Sequence, residues 1–278
     1  LLIYMIIENL VSVAVIVAVN LQKGFSETMN YKTTAELYDA MTKNLVENMD
    51  QIQFYTVALT YLVLIPVLIR MMKKDHRQAV MEEREIDRSF AKQIRGMWYL
   101  LIPLAGFCYC LAGSNMIDMT GLVAMSEGYQ KAVDVLYSAD LPMEILVVGI
   151  ISPVAEELLF RGIVYNRLHE YSSFLSAAIW SALMFAVLHE NLVQGVYAFL
   201  FGMLACYLYE RYGTILAPIL MHVAANLFAT ISTETGILRF AYSTDMGMYV
   251  STFVCLVILA IVLYMIECYV RPYSEEEA

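Results

Sequence analysis

Positive charge is scarce in this 278-residue chain. Lys and Arg number 17 against 27 Asp and Glu, and charged residues of both signs make up only 16% of the sequence. A net charge of -10 argues against a nucleic-acid partner, which selects a basic surface. Cysteine is sparse and badly spaced for chemistry. Cys108, Cys110, Cys206, Cys255 and Cys268 lie in or beside apolar runs and match neither a zinc pair nor a disulfide framework, so they read as reduced packing residues. No H-E-x-x-H zinc helix and no G-x-S-x-G nucleophile elbow is present, and no cysteine–histidine pairing is evident. An internal repeat is also missing, which counts against a transporter built on inverted halves.

What is present is apolar. Hydrophobic residues reach 60%, above the roughly half found in soluble domains. Apolar runs of spanning length recur about eight times: 1–21, 54–72, 97–117, about 142–168, 174–189, 192–209, 214–231 and 247–269. Backbone groups in lipid must be satisfied within the segment, and these runs are too long and too uniformly apolar for barrel strands, so they predict helices. The fold class expected is therefore all-α, a polytopic membrane protein of about eight transmembrane helices. Residues 1–21 have no basic n-region and no clear cleavage site, and they read as a span rather than a signal peptide, although Glu8 and Asn9 weaken it. Lys and Arg collect most densely after the second span, at Arg70, Lys73, Lys74, Arg77, Arg84, Arg88, Lys92 and Arg95. The bias of basic residues toward the cytoplasm puts segment 70–96 inside and loop 22–53 outside. It also puts Arg167, Arg211 and Arg271 on the inner side, with both termini cytoplasmic in the plasma membrane. Segment 79–96 mixes both signs at helical spacing and reads as a solvated helix, and the tail "SEEEA" as an acidic end.

The stretch "ISPVAEELLFRGIVYNRL", 151–168, places Glu156, Glu157 and Arg161 in an otherwise apolar span. A charge at the bilayer centre costs about 2.5–3.5 kcal/mol on insertion scales, so these groups should face the bundle interior or a wet cavity. Glu157 and Arg161 are four apart with the acid first, the favourable order for an ion pair on a helix. Glu156 is turned away by about 100° and has Phe160 as its i+4 neighbour. One carboxylate is thus locally paired and the other is not, the arrangement that divides acid and base roles. Pro153 predicts a kink, because its ring clashes with the carbonyl of Gly149. The fifth span ends "FAVLHEN", with Phe185 and His189 on one face, and the seventh reads "ILMHVAANL", with His222 and Asn226 on one face. At about 1.5 Å per residue, Glu156 and His189 both lie about 20 Å from the turn near 171–173, and His222 about 14 Å from the turn near Gly213.

Two chemistries fit such a set. Glu156 can act as a general base on water, with His189 positioning the water or moving the proton and His222 and Asn226 stabilising an oxyanion. Alternatively, Glu156, His189 and His222 can ligate zinc as two imidazoles and one carboxylate with an open position. A proton relay of the same groups in a transporter and a non-enzymatic scaffold are further readings. Arg161 and Phe185 read as structural support.

In order, E-E-x-x-x-R in "EELLFRG", F-x-x-x-H in "FAVLH" and H-x-x-x-N in "HVAAN" resemble the three motifs of the CPBP family, the CAAX-protease and bacteriocin-processing (Abi) intramembrane proteases. The likeness covers about 142–232. It divides the chain into N-terminal helices (1–141), a four-helix catalytic core (142–232) and a last helix with its tail (233–278). It implies an eight-helix fold and peptide-bond hydrolysis in the membrane, on a membrane-associated peptide or protein embedded in, or next to, the lipid bilayer. By position it gives Glu156 the catalytic glutamate role, makes Glu157 and Arg161 its partners, and assigns the remaining polar roles to His189, His222 and Asn226. Family members are described both as glutamic proteases that need no cofactor and as metalloproteases, and some act as immunity or regulatory proteins.

Overall fold

The computed structural model describes residues 2–27, 33–81 and 96–270. The basic side chains Arg84, Arg88, Lys92, Arg95 and Arg271, most of the mixed-charge segment 79–96 and the acidic tail lie outside the described residues. Among the described residues every regular element is helical, so the chain is an all-α polytopic membrane protein. Six helices are long and apolar enough to cross a membrane. These are α1 (Leu2–Glu27), α3 (Met49–Met81), α4 (Leu101–Met119, entered through a 3-10 turn at Gly96–Leu100), α11 (Leu192–Tyr212), α12 (Leu216–Thr235) and α14 (Asp245–Tyr269).

The two other expected spans have a different form. The run 174–189 contains a 14-residue helix, α10 (Phe174–Val187). The run 142–168 is a continuous but irregular helical passage. It comprises α7 (Leu141–Leu146), a π-helical turn at Val147–Ile151, α8 (Ser152–Leu159), a second π-helical turn at Phe160–Tyr165, and α9 (Asn166–His169). Six of the eight expected runs therefore form long apolar spanning helices. Between them lie short connecting helices: α2 (Thr34–Glu47), α5 (Leu122–Met125), α6 (Glu127–Leu136) and α13 (Phe240–Ser243). The acidic stretch in 22–53 thus yields a helix, α2. Its N-terminus is closed by the Thr33 hydroxyl, which accepts from the Glu36 backbone N–H at 3.2 Å.

The predicted kink at Pro153 takes the form of the first π turn. The N–H of Ser152 reaches the carbonyl of Val147, five residues back, instead of Val148. Proline has no N–H to offer in its turn, so the Val148 carbonyl loses both of its helical donors. The Asn226 side chain replaces them, donating to Val148 O at 3.0 Å from α12. π turns inside helices are uncommon and concentrate at functional sites. Here two of them bracket the eight residues that carry both glutamates.

Small residues set the helix spacing, as expected where lipid removes the hydrophobic drive between helices. Ala105, Ala177, Ala178, Ala205, Ala217 and Ala225 are buried in one core, and Ala182 is buried as well. Gly106 of α4 sits directly on the main-chain carbonyl of Met221 in α12, where a Cβ would overlap that oxygen. Gly202 of α11 leaves only 2.8 Å between an added Cβ and the Ala182 methyl of α10. These contacts close α4 onto α12 and α11 onto α10, while α8 packs against α3 and α12.

Candidate functional site

α8 aims its two adjacent carboxylates at different neighbours. The Glu157 side chain is fully buried, as is Arg161, and the guanidinium donates to Glu157 Oε1 at 3.1 Å. The i, i+4 spacing read from the sequence is thus realised even though Arg161 already lies in the second π turn. The same Oε1 takes a second donor from α12, His222 Nδ1 at 2.7 Å. The Arg161 guanidinium also lies 4.8 Å over the face of the Phe185 ring, a cation–π contact that gives a buried cation a second favourable surface. Even so, Arg161 Nε and NH2 and Glu157 Oε2 find no partner among the described residues. This knot is therefore incompletely satisfied in an apolar interior, a costly arrangement that needs the whole set in place.

Glu156 faces the other way. Its side chain keeps 17% exposure where Glu157 has none. Oε1 accepts from the Tyr61 hydroxyl of α3 at 2.9 Å, and Oε2 lies 3.7 Å from His222 Nε2. That last gap is too long for a direct hydrogen bond and suits a bridging water. His222 therefore stands between the two carboxylates, bound to one and facing the other. A neutral imidazole that donates from Nδ1 to a carboxylate is an acceptor at Nε2.

His189 closes α10. Its Nδ1 pairs with the Phe185 carbonyl at 3.0 Å, which leaves Nε2 as its outward nitrogen. Glu190, the next residue, is left-handed with φ 56°. Asn191 then caps α11, accepting from the Gln194 N–H at 2.8 Å and donating to the His189 carbonyl at 3.0 Å. This turn fixes the height of His189 on the bundle. Phe185 links the two imidazoles, its ring 4.8 Å from that of His189 and 5.9 Å from that of His222.

The structure thus brings Glu156, Glu157, Arg161 and His222 together directly and joins His189 to them through Phe185. Asn226, one turn along α12 from His222, spends one amide hydrogen on Val148 O. Two neighbours escaped the sequence reading. Tyr61 carries an aromatic hydroxyl near the middle of an apolar run, away from the interfacial belt that explains most such residues, and that position was the available signal. Phe201, whose ring is 4.6 Å from that of His222, left no signal because an apolar residue in a span is unremarkable. Among the described residues no three His, Cys, Asp or Glu side chains are placed to share a metal ion, so Glu156, His189 and His222 do not form a ligand set as they stand.

Fold and site together describe a polytopic α-helical membrane protein with a carboxylate–imidazole cluster between its helices. Residues 138–228 match the family model described as type II CAAX prenyl endopeptidase Rce1-like, which spans all three motifs. That segment is thus similar to this family, in keeping with the CPBP resemblance of its motifs. A protein of Bacillus subtilis (strain 168) described as "Putative membrane peptidase YdiL" is 31% identical over 137 residues, covering 48% of this chain and 55% of that protein. The chain thus spans about half the length of the curated relative it matches. No solved structure matches the chain.

Proposed function

We propose that the chain is an intramembrane endopeptidase in which Glu156 activates water against a peptide bond of a membrane-associated peptide or protein. The observation that carries this reading is the split between the two carboxylates. Glu157 is consumed by Arg161 and His222, whereas Glu156 keeps one oxygen facing His222 Nε2 at 3.7 Å and retains some exposure.

A water between Glu156 Oε2 and His222 Nε2 has an acceptor for each of its hydrogens. Glu156 takes one proton as the oxygen attacks the scissile carbonyl, and the protonated carboxyl then gives it to the departing amide nitrogen. Glu157 and Arg161 hold His222 in the tautomer that accepts at Nε2. His189, with Nδ1 committed to Phe185 O, offers Nε2 to position the substrate or relay the proton. His222 can donate to an oxyanion only as an imidazolium, so the second amide hydrogen of Asn226 is the better neutral donor for the tetrahedral intermediate. A zinc ion on Glu156, His189 and His222 would need all three side chains to converge, and no step here depends on one. The chain is placed in the plasma membrane with both termini inside, the orientation that the basic segment 70–96 supports.

The reading is tested by comparing membrane peptides from cells carrying wild type or Glu156→Gln. Peptides released by wild type and missing from the variant identify substrates. Identical peptide sets, with both proteins inserted equally, would assign the chain to a scaffold or immunity role.

A further inference from the structure

The site reaches beyond the segment that the family model matches. Tyr61 lies 95 residues before Glu156, on α3, and donates to Glu156 Oε1 at 2.9 Å. Behind it, on α1, Tyr4 packs with its ring 6.1 Å from that of Tyr61. The Tyr4 hydroxyl donates to Glu8 Oε1 at 3.2 Å. The row runs carboxylate, phenol, phenol, carboxylate: Glu156, Tyr61, Tyr4, Glu8. A phenol has one hydrogen. In the arrangement seen, Tyr61 gives its hydrogen to Glu156 and Tyr4 gives its own to Glu8. Neither phenol can donate to the other without releasing its carboxylate.

We propose that Tyr61 is a positioning residue for Glu156, pinning Oε1 so that Oε2 faces His222, and that Tyr4 of α1 supports it from behind. The proposal rests on reading Glu156 as the water-activating group. The consequences of this arrangement are specific. A carboxylate with one oxygen pinned presents the other in a fixed direction, and geometric precision of this kind is worth large factors in rate. The other groups facing Glu156, namely His222 of α12 and its own-helix neighbours Glu157 and Arg161, are unchanged when Tyr61 loses its hydroxyl.

A substrate-free test follows from the chemistry. Dicyclohexylcarbodiimide modifies neutral carboxyls in apolar surroundings. The purified full chain, as wild type, Tyr61→Phe and Tyr4→Phe, is treated with the reagent, and modification of Glu156 and Glu157 is read by peptide mass spectrometry. Phenylalanine keeps the ring and removes only the donor. Modification of Glu156 should rise about ten- to a hundredfold in Tyr61→Phe, because Oε1 loses the donor that holds it, the ratio expected for one hydrogen bond to a carboxylate, and two- to threefold in Tyr4→Phe. Modification of Glu157 should not change, whereas loosened packing would raise both. Equal Glu156 modification in wild type and Tyr61→Phe, including none in either, overturns the proposal.

The same variants are then assayed on a peptide released by wild type but not by Glu156→Gln. Tyr61→Phe should lower kcat about tenfold and leave KM within twofold. Loss confined to KM contradicts the positioning role. If Glu156→Gln is fully active while labelling still responds to Tyr61→Phe, the endopeptidase reading fails and the tyrosine contact stands. If Glu156→Gln is inactive and Tyr61→Phe matches wild type in both measurements, the endopeptidase reading stands and this proposal fails.

Discussion

Replacing Glu157 by Gln should destabilise the protein more than its single-atom change suggests. The amide keeps an oxygen for the His222 N–H but carries no charge for Arg161. Both side chains are fully buried and in contact at 3.1 Å, and removing one partner of a buried pair costs about 3–5 kcal/mol because the other charge is left uncompensated. The cation–π contact with Phe185 at 4.8 Å offsets about 1–2 kcal/mol of that, so a loss of about 1–4 kcal/mol is expected. For a chain of this size that is a fall of roughly 2–16 °C in melting temperature. Arg161→Met should cost a similar amount, since it leaves a buried carboxylate with only His222. The double variant Glu157→Gln/Arg161→Met removes both charges and should melt well above the sum of the single losses, a coupling of about 2 kcal/mol or more. Cys108, Cys110, Cys206 and Cys255 are buried, so a thiol-reactive fluorophore reports unfolding directly in detergent, with Cys268 as baseline. Additive losses, or single variants that melt like wild type, would refute the buried-pair account.

Gly106→Ala should also destabilise, by about 1–3 kcal/mol, since its Cβ would meet the Met221 carbonyl of α12. Gly195→Ala is the control. Its Cβ would meet only an ordinary 3.5 Å contact, and the same melting assay should find it neutral or slightly stabilised. Asn226→Ala strips the donor from the Val148 carbonyl and should lower the melting temperature by an amount matching about 1–3 kcal/mol, besides slowing cleavage. Exhaustive treatment with a zinc chelator should leave peptide release by purified wild type unchanged, and activity lost on chelation and restored by zinc would require the metal reading instead.

The parts of this architecture that were legible in the sequence are those written at local spacing. Long apolar runs gave the spanning helices, and the i, i+4 interval gave the Glu157–Arg161 pair and the shared faces of Phe185 with His189 and of His222 with Asn226. Pro153 pointed to a disturbed helix, but its form was not legible. The π turn depends on Asn226 supplying Val148 O from another helix, a contact across 78 positions. Tyr61 was missed for the same reason. Its partner lies 95 residues away, and only its place near the middle of an apolar run sets it apart from the tyrosines of the interfacial belt. The pairing of His222 with Glu157 rather than Glu156 depends on about an ångström of helix placement, below what residue counting at 1.5 Å per residue resolves.

The central claim is that Glu156 activates water, and its most direct test is cleavage by the purified protein in proteoliposomes, on a peptide that wild type releases in the membrane. Glu156→Gln, whose half-buried side chain makes no ion pair with Arg161, should insert and melt like wild type yet cleave about 10²–10⁴-fold more slowly, the usual worth of a general base. A Glu156→Gln protein that cleaves within a few-fold of wild type would contradict the claim.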